Sequence, residues 1–127
     1  MYHCTGADRC ALALACLLPA LVQAQSVSKG QELVESRCFA CHSLDFNRVG
    51  PALRGVVGRK PGTAAGYAYS EAFAAARPTW DAESIKTWLT NPELLLPGQK
   101  MNYRLDQAQD REDVVSYLTS LSTAPGN

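Results

Sequence analysis

The stretch Arg37-Cys38-Phe39-Ala40-Cys41-His42-Ser43 decides how the rest of the chain is read. It sets two thiols three residues apart and puts an imidazole directly after the second. Its weight depends on how many other thiols and imidazoles the working protein keeps. Residues 11–24, ALALACLLPALVQA, are an apolar run broken by Pro19 and Gln23 that closes with small residues where a signal peptidase reads. A leader spanning residues 1–24, cleaved after Ala24, is expected. The run falls short of the roughly 20 apolar residues of a spanning helix, so no permanent membrane anchor is expected. A lipid-anchored form would need cleavage at Cys16, and too few apolar residues precede it.

The chain has five Cys, two His and two Met, and the leader takes Cys4, Cys10, Cys16, His3 and Met1 away. Cys38, Cys41, His42 and Met101 remain. Of the 127 residues, 25–127 then form one domain. The 12 basic and 12 acidic residues lose one each, Arg9 and Asp8, so the mature chain is formally neutral. It lacks the basic footprint of a nucleic-acid binder.

Hydrophobic periodicity points to an all-α protein. Ser28 with Gln31 has the form of a capping box, and Leu33, Val34 and Cys38 recur at near-helical spacing. This predicts an N-terminal helix with CFACH in its last turn. Asp81 is placed to cap a helix over ESIKTWLT, with Ile85, Trp88 and Leu89 on one face and Asn91-Pro92 as its stop. A final helix is expected over about 110–121, with Val114, Leu118 and Leu121 in one stripe and acidic residues at its start. Ser70 is placed to cap a short helix, EAFAAA. Residues 43–69 and 90–105, rich in Gly and Pro, exceed the roughly 12–15 residues of ordinary structureless loops. Loops that long need something to wrap.

Thiols spaced C-x-x-C on a helical turn add to the two vinyl groups of haem, and a His directly after them is held beneath the ring to ligate iron. Cys38, Cys41 and His42 are therefore read as covalent attachment of one haem c per chain. A redox dithiol is the weaker reading, since it belongs at a helix start after a strand. A zinc site needs further ligands, and the mature chain has no other Cys or His. A structural disulfide is the third alternative. A second imidazole leaves with His3, so Met101 is the expected axial partner of His42. Lys100 or an open position are its alternatives, and packing is what a lone Met usually does.

The segments CFACH, VGPALRGVVGRKPG, YAYS, TW, LTNPELLLPGQKM and DREDVVSYL, in that order over nearly all of residues 28–122, resemble a class I cytochrome c of the mitochondrial and bacterial soluble type. The resemblance implies the cytochrome c fold, with three main helices, short helices and long loops around one covalent haem. It implies that the Pro51 carbonyl takes the Nδ1 proton of His42 and so fixes tautomer and ring orientation. It also implies that Arg59, Tyr69 and Trp80 surround the haem propionates beside an aromatic at Tyr67. A first helix laid across the last would set Gly30 and Val34 against Tyr117 and Leu118.

The chain departs from that family pattern in three ways. The segment from His42 to Gly50 is shorter than in mitochondrial members. Trp88, able to donate but not accept, stands where the family has a Tyr near the iron-bound Met. The lysine ring at the haem edge is largely absent, Lys100 being its clearest survivor, and Gln99 replaces a hydroxyl residue.

The implied function is that of a soluble electron carrier, which passes single electrons through its haem and is not an enzyme, since protein would fill both axial positions. Its partners are redox proteins, its state monomeric, and export with covalent haem puts it in the bacterial periplasm. Rivals are a haem subunit of a periplasmic dehydrogenase complex and a peroxidase-like cytochrome with a labile Met101.

Overall fold

The computed structural model describes residues 22–24, 26–76 and 79–123. The expected leader lies outside them except for its last three residues. Among the described residues the order is α1 (26–33) running into a π-helical turn (Val34–Cys38), α2 (Glu71–Ala74), α3 (Ala82–Thr90), α4 (Pro92–Leu95) and α5 (Ala108–Thr123), with no strand.

The capping box expected at Ser28 does not form, because the chain is already helical at residue 26 and Ser28 lies inside α1. Ser26 instead turns its hydroxyl onto α5, 2.6 Å from Asp113 Oδ1 and 3.3 Å from Ser116 Oγ. The Gln31 amide reaches forward to Glu35 Oε1 at 2.8 Å, not back to a cap. At its end the helix widens, and the Phe39 N–H donates to Val34 O, five residues back, at 3.2 Å. CFACH thus straddles the helix end instead of filling its last turn. Cys38 closes the π turn, and the amides of Cys41 and His42 both return to Cys38 O, at 3.0 and 2.8 Å. Such widened turns recur at functional sites.

α3 starts as its sequence implies. Asp81 accepts from the Ser84 N–H at 2.7 Å while Ser84 Oγ accepts from the Asp81 N–H at 2.9 Å. Its stop is also a start, since extended Asn91 hands Pro92 to the first turn of α4. That short helix lies inside the segment read as loop. α5 runs two residues beyond its expected limits at each end. Ser70 has the extended backbone of a cap, but its side chain makes no capping bond and α2 is four residues long.

α1 crosses α5 where Gly30 removes any side chain. A Cβ there would come within 2.6 Å of the Asp113 carbonyl carbon and 2.8 Å of Tyr117 Cβ. Val34 follows one turn on, fully buried, in a cluster with Leu33, Trp88, Leu105, Tyr117 and Leu118. Burying such a side chain contributes about 1.5–3 kcal/mol. α3 packs against both α4 and α5. The long loop is laced to its surroundings by backbone bonds, Gly50 N–H to Cys41 O at 2.8 Å and Gly58 N–H to Trp80 O at 2.7 Å among them.

Candidate functional site

Loops and helices together enclose a cavity of about 540 Å³. Cys38, Cys41, His42, Pro51, Arg59, Tyr67, Tyr69, Trp80, Trp88 and Met101 all line it. These candidate site residues are brought to one place, although they come from the π turn and the residues just after it, both long loops, α3 and the segment that precedes α3.

The His42 ring is set by backbone. Its Nδ1 lies 2.8 Å from Pro51 O, and a carbonyl only accepts, so Nδ1 carries the proton. Burial pushes the imidazole pKa down, against the opposing pull of that bond, which keeps the ring neutral. Nε2 then keeps its lone pair. Gly50 lies against the ring face, where a Cβ would fall 2.5 Å from Nδ1 and 2.7 Å from Nε2. Met101 is held by a side chain: the Trp88 indole N–H donates to its Sδ at 3.0 Å. The replacement of a hydroxyl by an indole therefore leaves a donor on the sulfur.

Burial, then the neighbouring Cys41 thiol, push the Cys38 thiol up to about 11. A reactive dithiol needs a depressed value, so this pair is a poor exchange centre. Around the cavity Tyr67, Tyr69, Phe73, Trp88 and Trp80 form a chain of ring contacts 4.7–5.5 Å between centroids. Tyr67 donates its hydroxyl to Val49 O at 2.6 Å, and Tyr69 accepts the Ala64 N–H at 3.2 Å, leaving its own proton to give.

The lining fits a haem. Arg59 Nε and Ser70 Oγ are buried donors without a partner, and both residues line the cavity. Unpaired buried donors are costly, and the carboxylates of a haem would supply their acceptors. Ser70 and Phe73 were not legible as site residues. Ser70 looked like an ordinary cap, and the only sign of another task is the capping bond it fails to make.

The sequence profile of cytochrome c matches residues 27–122. The chain belongs to the cytochrome c family. It is 37% identical over 105 residues to cytochrome c of Kluyveromyces lactis, covering 80% of this chain and 96% of that one. Against cytochrome c2 of Rhodopseudomonas palustris the identity is 40% over 114 residues, covering 76% and 99%. Among solved structures, cytochrome cH from Methylobacterium extorquens superposes with a TM-score of 0.70 at 38% identity, covering 74% of this chain and 97% of that one. As a cytochrome c, the chain has the class I fold expected from its sequence. Its cofactor is one covalently bound c-type haem with iron, and its role is electron transfer between redox partners, not enzymatic catalysis.

Proposed function

We propose that this cytochrome c is a soluble, exported, monomeric carrier that works in the bacterial periplasm and binds haem iron between His42 and Met101. The observation that carries the reading is the pairing of a neutral, Nδ1-protonated His42 with a Met101 sulfur on the wall of the cavity that also holds both thiols. The haem would supply a one-electron couple, and holding it by both an imidazole and a thioether would raise its potential. The chain does the rest. Cys38 and Cys41 would hold the haem through two thioether bonds, Pro51 accepts the hydrogen bond of His42 Nδ1–H, and Trp88 donates to the Met101 sulfur. Arg59, Ser70, Tyr69 and Trp80 serve the propionates, while the aromatic wall keeps water off the ring. Export supports the periplasmic reading through the leader expected at residues 1–24.

The test is Met101→Ala in exported protein. Mass spectrometry should find the polypeptide from Gln25 onward plus one haem in both forms. The variant should lose the sulfur-to-iron charge-transfer band and drop in potential. An unchanged band and potential would remove Met101 from the ligand set, and a bare polypeptide mass would remove the haem.

A further inference from the structure

The peptide group joining Pro51 to Ala52 is engaged at both ends. Its oxygen accepts the Nδ1 proton of His42 at 2.8 Å, and its N–H donates to Asn47 Oδ1 at 3.0 Å. Neighbouring amides are served by backbone: Gly50 by Cys41 O at 2.8 Å, Leu53 by Ser43 O and Arg54 by Leu44 O at 2.9 Å. Pro51 has no N–H, so Ala52 is the amide of this run that takes a side-chain partner. Asn47 is itself oriented by a second bond, its Nδ2 donating to Ala65 O at 2.9 Å. With a carbonyl at one end and an N–H at the other, only one placement of its amide satisfies both. Asn47 lies in the shortened segment between His42 and Gly50.

We infer that Asn47 is a positioning residue for His42, acting through the Pro51–Ala52 peptide. The inference rests on His42 being the iron ligand. An amide that donates through its N–H becomes a better acceptor at its carbonyl, because both groups draw on the same delocalised electrons. Chains of this kind strengthen each bond by about 10–30%. A stronger acceptor at Pro51 holds the His42 proton more firmly and makes Nε2 a better donor to iron, which favours the ferric state. Asn47 also fixes the plane of the peptide, and with it the rotation of the imidazole. Its bond to Ala65 O gives the short loop a brace to the facing loop.

The experiment uses holoprotein carrying wild-type Asn47, Asn47→Leu or Asn47→Asp. NMR of the ferric form reads solvent exchange of the His42 Nδ1 proton, and voltammetry reads the potential. Leu removes both bonds at similar volume, whereas Asp keeps the acceptor for Ala52 and loses the donor to Ala65. In Asn47→Leu the proton should exchange several-fold faster and the potential should rise. In Asn47→Asp exchange should stay within about twofold of wild type. Where Leu yields no holoprotein, Asn47→Ala carries the same expectation as Leu. A residue that only braced the loop would make Asp behave like Leu or Ala, because all three lose the Ala65 bond. That result, or wild-type exchange in the Leu or Ala variant, overturns the inference. Absence of a paramagnetically shifted imidazole in wild type overturns the ligand assignment instead, so the two failures are distinct.

Discussion

From Cys41 to Arg54 the chain is tied to itself by backbone: Gly50 returns to Cys41, Leu53 to Ser43, Arg54 to Leu44, and Pro51 takes the His42 proton. From 100 to 104, among the described residues, no backbone group makes a bond to another backbone group. Met101 depends there on the Trp88 indole, and its loop depends on Glu93. One side of the cavity is thus specified by main-chain geometry and the other by individual side chains. The main-chain side should resist small changes at exposed positions and fail abruptly where its spacing is violated. The side-chain side should loosen in steps, one contact at a time, and under the proposed ligation it would be the side where a ligand exchanges.

The largest effect is expected from Gly50→Ala. Its φ is not in the left-handed region, so the methyl group has no conformational objection to meet; the objection is space, with the His42 ring in the way. Overpacking of this kind costs about 1–3 kcal/mol or more, and here the ring that must move is the proposed iron ligand. Thermal melts and the ferric absorption spectrum should both change. A variant with wild-type spectrum and melting would show that the main-chain side is softer than its bonding suggests.

Trp88→Phe addresses the other wall. It keeps an aromatic ring beside Phe73 and Trp80, now 5.5 and 5.4 Å from Trp88, and deletes the donor to Met101. With Met101 as the proposed ligand, a donor on its sulfur would withdraw density and favour the ferrous state, so its loss should lower the potential. A hydrogen bond of ordinary strength corresponds to about 20–60 mV for one electron. A potential that stays in place, measured with Met101 still bound, would mean that the indole fills space and nothing more.

What the sequence revealed and what it hid follow the same division. CFACH, the Gly50-Pro51 pair and the Asp81 cap were legible because each acts over a few residues, and the structure has Asp81 and Ser84 bonded as their spacing implies. Met101, expected by subtraction of the leader, lines the cavity. The π turn at Val34–Cys38 was not, because a widened turn has no periodicity of its own and is set by what the helix meets. α4 was hidden by its own Pro92, which reads as a breaker but sits at a first helical turn. Asn47 and Ser70 were hidden for another reason. Ala65 O reaches Asn47, and Ser70 comes to line the cavity, only once the loop has closed.

The smallest effect is expected at Glu93. Its carboxylate accepts from the Gly98 N–H at 2.9 Å and from the Gln99 amide at 3.2 Å, bracing the turn in which Gly98 takes φ 82° just before Met101. These bonds, Gly98 first, hold the carboxyl below its ordinary 4.5. Closure of the loop therefore gains from Glu93 in full above pH 4.5 and loses that gain as acid takes the pH through the depressed value. Glu93 is exposed, so water and salt screen the effect, and Glu93→Ala should speed imidazole entry at ferric iron only a few-fold at neutral pH. Wild type should approach the variant's rate as Glu93 protonates, while the variant should lack that component. With Met101 as the proposed ligand, its bond to iron would have to break before imidazole enters, so this rate would read the looseness of one wall directly. Equal rates at neutral pH would assign the holding of Met101 to Trp88 alone and leave the Met side with a single restraint.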